Sequence, residues 1–468
     1  MLKKRWQLLA LLAVVAAAAC VWALRVPTAT ETVEAPAATA QPYTMIYESS
    51  LPQWTRMELN GRDFDAFAVR SDMVYDADGQ LLGVRNALAQ PILLEGDEVF
   101  RFSTYGYQMI LLVAQHLPSV ETLGEAVGGE AAYGLDQPTV VCRSEYADGS
   151  ERTVRVGALT PSGDRCYVAV DGRVYLVPAD LYQTLAKGLP GLHFLPASFG
   201  FAASQVTALQ IERAGEATIQ IEQKDDGALL PYRMTAPLAH DANKERLLQA
   251  LEHVCAAAPD GYVANAATDA ALAAYGLASP RMRLTFVVEG QYMAQIAIGD
   301  DAEGGAAYMT LDRSGDVYRV SKDKLAFMDE LTCDRLLERY VSLVSLTELN
   351  ELRVASDTGE RILSLSWDEG ATQPTAYYID GTEVERAAFS ALYQRAIAPM
   401  LDKTSVGLTV SGEARLTLTF ALRDGTSRQV RYLPYDAFYN AVEIDGQTCF
   451  LIREPKVDAL LAAFFGEP

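Results

Sequence analysis

The sequence repeats itself, and the period of that repetition sets the size of its folding unit. Ala131-Ala132-Tyr133-Gly134-Leu135 returns 142 residues later as Ala273-Ala274-Tyr275-Gly276-Leu277, each followed within three residues by a proline, Pro138 or Pro280. Downstream, Val174-Tyr175-Leu176-Val177 is answered 143 residues on by Val317-Tyr318-Arg319-Val320. Ordered markers at a fixed spacing indicate one supersecondary unit duplicated in tandem. A weaker third copy carries Val406-Gly407-Leu408, Asp424-Gly425 and Cys449-Phe450-Leu451-Ile452, without the tyrosine of the first marker.

Between the markers each copy reads as short strands. Thr139 to Cys142 and Thr153 to Val156 flank Asp148-Gly149, and an Asp-Gly pair between alternating apolar residues is a hairpin signal. Tyr167 to Val170, Asp171-Gly172 and Val174 to Val177 give a second hairpin, and Arg415 to Leu422 alternates in the third copy. Helical stretches close the sets, Ala179 to Ala186 and Lys456 to Phe465. Upstream lie further strands and one amphipathic helix per copy: Tyr105 to Leu117, Asn243 to Cys255 and Glu385 to Ala398. The expected class is therefore α+β: three tandem related units of antiparallel sheet with packed helices, over residues 43–200, 201–342 and 343–468.

The repeated Tyr-Gly-Leu is read as a structural joint. Gly134 and Gly276 end the preceding helix in a left-handed conformation, Tyr and Leu pack across the joint, and Pro138 or Pro280 opens the sheet. Tyr175 and Tyr318 belong to the same repeat motif, and none of these residues is assigned a catalytic role.

Residues 1–5 hold Lys3, Lys4 and Arg5, and an uncharged apolar run continues to Arg25. That length matches a hydrocarbon core of about 30 Å. Residues 6–26 are expected to be a single-pass anchor with a cytoplasmic N-terminus and the bulk of the chain outside. A cleaved signal peptide, or lipidation at Cys20, remain the alternatives. Residues 27–42, rich in Ala, Thr, Pro and Glu, read as a flexible linker.

The net charge of −22 argues against nucleic acid as a partner, which needs a basic surface. It also argues against adhesion to anionic lipid headgroups. Outside the anchor, Cys142, Cys166, Cys255, Cys333 and Cys449 form no disulfide framework, and only Cys142 with Cys166 suggest a pairing.

No catalytic constellation emerges. His116, His193, His240 and His253 are scattered, so no metal is expected. His193, in Gly191-Leu192-His193-Phe194, reads as a packed joint. Gly124 to Gly129 lacks the Lys-Ser of a phosphate loop, and no Gly-x-Ser-x-Gly elbow occurs. Asp76-Ala77-Asp78-Gly79 reads as a turn, and Gly299 to Gly305 as a solvated acidic turn that would hold a cation weakly at best. No cofactor is implied.

The markers Tyr133-Gly134-Leu135-Asp136-Gln137-Pro138, Asp148-Gly149 and Val174-Tyr175-Leu176-Val177-Pro178 resemble a bacterial envelope family, domain of unknown function 4340. The likeness is good over residues 120 to 340 and looser beyond. It implies an accessory envelope protein, in a family often encoded beside ABC-transporter components of the gliding-motility type, and supplies no catalytic residues. The expected function is that of a membrane-anchored extracytoplasmic accessory or scaffold protein with an envelope protein partner. The alternative is an exported hydrolase of cell-wall or polymer substrates with cleft carboxylates.

Overall fold

The computed structural model describes residues 43–47, 53–76, 80–197, 199–224, 229–266, 268–312, 315–405 and 407–466. The expected anchor (6–26), the linker (27–42) and Cys20 lie outside the described residues. Among the described residues no helix is long and apolar enough to cross a membrane.

The first sheet forms between residues 54 and 178. The chain order of the first unit is β1 (Thr44–Met45, outside the main sheet), β2 (Trp54–Gly61), β3 (Phe67–Ser71), β4 (Met73–Tyr75), β5 (Leu81–Val84) and β6 (Ile92–Leu94). Helix α1 (Thr104–Gln115) then leads to β7 (Pro118–Ser119) and β8 (Glu121–Gly124). Four strands complete it: β9 (Val140–Tyr146), β10 (Glu151–Leu159), β11 (Arg165–Val170) and β12 (Arg173–Pro178). Helices α2 (Ala179–Leu185) and α3 (Leu189–Leu192) follow.

The second set is β13 (Val206–Arg213), β14 (Ile219–Gln223), β15 (Tyr232–Ala236), β16 (His240–Asp241), α4 (Lys244–Ala256), β17 (Gly261–Asn265) and α5 (Asp269–Ala273). It closes with β18 (Met282–Val288), β19 (Tyr292–Ala302), β20 (Ala306–Leu311), β21 (Asp316–Ser321), α6 (Phe327–Glu330) and α7 (Cys333–Leu336). The third set is β22 (Leu349–Ser356), β23 (Gly359–Ser366), β24 (Ala376–Ile379), β25 (Thr382–Val384), α8 (Arg386–Ile397) and β26 (Lys403–Thr404). It ends in β27 (Leu416–Leu422), β28 (Ser427–Pro434), β29 (Tyr439–Ile444), β30 (Gln447–Arg453) and α9 (Glu454–Phe465).

The three sheets share one topology. The second runs β16-β15-β14-β13-β18-β19-β20-β21-β17 and the third β25-β24-β23-β22-β27-β28-β29-β30-β26. The first runs β6-β3-β2-β9-β10-β11-β12-β8, one strand shorter, with β4 and β5 forming a separate hairpin. In each, the opening strand (β2, β13 or β22) pairs with the opening strand of the second half (β9, β18 or β27), and a short strand after the long helix returns to the far edge. The registered neighbours are antiparallel, as tight Asp-Gly or Glu-Gly turns between consecutive strands require.

Period-2 alternation buries one face of each sheet. Val140 and Cys142 on β9, Met282 and Leu284 on β18, and Leu416 and Leu418 on β27 stand at matching positions and are all buried. One long helix covers each buried face. Asn243 caps α4, its side chain accepting from the Arg246 N–H at 3.0 Å, and Leu247, Ala250, Leu251 and Val254 are buried at helical spacing. Ser103 caps α1 in the same way, accepting from Gly106 N–H at 2.8 Å.

The second and third sheets share one continuous core, whereas the first has its own, which Tyr262 and Tyr318 of the second unit enter. The pairing left open for Cys142 and Cys166 does not form: both thiols are free, buried and on β9 and β11, separated by β10. Burial pushes the Cys142 thiol up to about 12, so it behaves as a small apolar residue.

Candidate functional site

The repeat motif assembles on the outer face of its sheet, and glycine decides how. Gly134 (φ 64°) and Gly276 (φ 68°) adopt the left-handed conformation that a side chain disfavours. The turn then lays the Tyr133 and Tyr275 carbonyls against Gly157 and Gly299, where an added Cβ would stand 2.3 and 2.2 Å from those oxygens. Both glycines sit where the register of β10 or β19 shifts, a bulge in the strand. Tyr133 packs edge-on against Tyr167 at 4.9 Å, and Tyr275 repeats this with Tyr308 at 4.9 Å. Leu135 and Leu277 are buried in two small clusters there, separate from the main cores.

The motif thus packs onto neighbouring strands, not only across the helix-to-strand joint. Gly157, Gly299, Tyr167 and Tyr308 are the residues that sequence reading missed, although the two glycines are also 142 residues apart. In the third sheet Leu433 follows Tyr432 where a glycine follows Val156 and Ile298 in the other copies, and β28 pairs without a bulge. Glycine and tyrosine are lost together. Pro138 and Pro280 precede β9 and β18, while Tyr175 lies on β12 beside the first core.

Tyr318 is set apart from Tyr175 by its neighbours, which belong to the joint between units one and two. There His193 stacks on Tyr262 (3.8 Å between ring centres, 9° between planes), with Phe100 and Tyr318 edge-on at 4.8 and 5.9 Å. Nδ1 of His193 lies 2.7 Å from the Phe194 carbonyl, an acceptor, so Nδ1 carries the proton. Nε2 has no hydrogen-bond partner among the described residues and faces Asp316 Oδ2 at 3.6 Å. Burial lowers the His193 pKa, outweighing the nearby carboxylate. Asp316 is held in turn by Asn265 Nδ2 at 3.0 Å and the Tyr318 hydroxyl at 3.4 Å. A cavity of about 260 Å³ opens beside this cluster, lined by Arg101, Phe194, Gln295, Asp312, Asp316 and Tyr318.

The joint between units two and three uses charge. The Asp241 side chain is 4% exposed and is met by Lys224 Nζ at 2.7 Å, Arg428 Nη1 at 3.3 Å and Arg233 Nη1 at 3.9 Å. Burial alone would raise its pKa; the surrounding cations, Arg428 first, hold it below the usual carboxylate value. Beside it His240 Nε2–H donates to the Glu338 carbonyl at 3.1 Å, and burial lowers that imidazole's pKa. Glu338 receives Asn243 Nδ2 at 3.0 Å and the Arg339 N–H at 2.7 Å. A larger cavity, about 520 Å³, lies against this cluster.

The carboxylates of the joints are thus engaged by structural partners. The acidic turn after Gly299 behaves likewise, Asp301 pairing with Lys322 at 2.6 Å and Arg281 at 3.0 Å. His253 pairs with Glu330 at 2.7 Å on the surface, and no metal-type cluster occurs among the described residues.

The regions shared with known sequences contain His193, Tyr262 and Tyr318 of the first joint and Lys224 and Asp241 of the second, but not Phe100 or Arg428. The profile of the domain of unknown function named DUF4340 matches residues 119–258 and again 233–400, more than half of the chain. The chain belongs to that family. The first match runs from the end of β7 to just past α4, and the second from β15 to just past α8, so each crosses from one unit into the next. No curated protein and no solved structure matches the chain.

Proposed function

We propose that this protein is a membrane-tethered accessory or scaffold component of the bacterial cell envelope. Residues 6–26 hold it to the membrane and the three units stand on the outer side, where they dock another envelope protein. The family resemblance directs the search for that partner to ABC-type transporters. The observation that carries the reading is the pair of buried joints. His193 with its aromatic neighbours and Asp241 with its three cations couple the repeated units into one array. Tandem units fixed to one another multiply docking surface at defined spacing.

Mild detergent extraction of native membranes, with affinity capture of the full chain and mass spectrometry of what accompanies it, tests the reading. The expected result is recovery from the membrane fraction with a stoichiometric envelope partner that includes a permease. Recovery from the soluble fraction, or of a lone monomer after chemical crosslinking in cells, overturns it.

A further inference from the structure

Helix α4 and the α6–α7 segment border a groove of about 390 Å³, lined by Arg246, Gln249, Glu330 and Arg335. All four residues belong to the second unit, and the scaffold role makes no use of them. The volume lies in the range of small-molecule pockets. Arg246 and Gln249 stand three residues apart and share one face of α4, with His253 one turn further along. Glu330 ends α6, and Arg335 lies in α7.

The charges on this wall do not balance. Arg246 Nη1 donates to the Arg335 carbonyl at 3.4 Å, a neutral acceptor that brings the two residues together without cancelling either charge. Among the described residues neither guanidinium forms an ion pair. Glu330, the one acid on the wall, is already engaged by His253 Nδ1 at 2.7 Å. Asp334, the neighbour of Arg335, serves the Thr404 hydroxyl at 2.6 Å and Arg339 Nη1 at 3.8 Å instead. Glu245, the neighbour of Arg246, does not line the groove. Two guanidiniums against one carboxylate leave a surplus positive charge, in a chain whose net charge is −22. An anion lying between the two arginines offsets their mutual repulsion.

We propose that this groove binds a phosphomonoester, its phosphate held by Arg246 and Arg335 and its organic part along Gln249. A guanidinium presents parallel N–H donors that take phosphate oxygens two at a time. Two such forks suit a doubly charged phosphate better than a carboxylate, whose two oxygens a single fork satisfies. The groove is larger than a phosphate ion fills, and the Gln249 amide offers a donor and an acceptor to hydroxyls of the organic part. Glu330 repels a second anionic group, which favours one phosphate over a polyphosphate chain.

Isothermal titration of the purified full-length chain at constant ionic strength, with glycerol phosphate, inorganic phosphate and acetate, tests this. Glycerol phosphate is expected to bind saturably at one site per chain, with inorganic phosphate weaker and acetate about tenfold weaker still. Arg246→Gln and Arg335→Gln should each weaken glycerol phosphate about tenfold. Both arginines are exposed and free of ion pairs, so the variants should keep the parent's melting temperature. Arg386→Gln removes an exposed cation from α8 of the third unit and should leave the affinity unchanged. Absence of saturable phosphate binding, equal binding of acetate, or tighter binding of inorganic phosphate than of the ester overturns the proposal. So does unchanged affinity in both groove variants, or equal weakening by Arg386→Gln. None of these outcomes depends on whether a protein partner is found.

Discussion

Units one and two meet through stacked rings, whereas units two and three meet through a buried ion cluster set in a shared core. The sheets on either side have the same strand order, so the difference belongs to the joints. At the first, His193 and Tyr262 exclude water by shape, and the nearest carboxylate, Asp316, stays 3.6 Å from the imidazole. At the second, Asp241 ties β16 to Arg428, 187 residues away in sequence. Duplication supplied equivalent sheets, and each joint has its own chemistry. A stacked joint loses packing when altered; a charged joint loses the buried counterion its cations share. The two should therefore break differently.

The largest effect is expected at Asp241. Asp241→Ala leaves Lys224, Arg233 and Arg428 facing one another without their buried carboxylate, and removing one partner of a buried ion cluster costs about 3–5 kcal/mol. Urea unfolding should show this loss in the second and third units together, since they share a core. Loss confined to the first unit would contradict the assignment of Asp241 to the second joint. His193→Ala comes next, at roughly 2–4 kcal/mol for the cavity left among Phe100, Tyr262 and Tyr318. His193→Phe should recover most of that, because the stack needs a flat ring more than a proton. If Phe costs as much as Ala, the joint depends on polarity and the contrast drawn above fails.

Gly157→Ala and Gly299→Ala set an internal reference away from either joint. Each new methyl would meet a tyrosine carbonyl, at 2.3 and 2.2 Å, and both should lose about 1–3 kcal/mol by differential scanning calorimetry. Equal losses would support the equivalence of the two copies. A large loss in one copy alone would show that the glycines serve different ends.

What the sequence disclosed and what it withheld divide along the same line. Hairpins such as Val140 to Val156 were legible because their signal is local: alternation and a central Asp148-Gly149. The long helices were legible because Asn243, a capping residue, stands directly before helically spaced leucines. The return of β8, β17 and β26 to the far sheet edge leaves no local trace, since those strands are two to five residues long. The joints were hidden for a stronger reason. Asp241 looks like any acid in a chain with 61 of them until the fold brings Lys224 and Arg428 around it. His193 could be read as a packed residue, but its partner Tyr262 could not be named from either segment alone.

Acidification gives the smallest effect and the finest test of the contrast. In the folded chain burial holds the pKa of His193 and His240 below the ordinary 6.5. The unfolded chain thus takes up protons more readily as pH drops, and the contribution of each neutral imidazole, fully present above about pH 6.5, declines as pH falls toward the folded value. Asp241 has its pKa lowered as well, but from 3.8, so its contribution persists until pH falls below that value. Between pH 7.5 and 5.5 both joints should weaken through histidine alone. In that range His193→Gln should flatten the pH dependence of first-unit unfolding, and His240→Gln that of the other two units. Only below about pH 4 should the second joint lose more, as Asp241 takes up a proton and releases its cations. Hydrogen exchange of the segments on either side of each joint, followed across both pH ranges, separates the two. An early loss of protection around Arg428, at pH 6, would mean that His240 and not the ion cluster holds units two and three together.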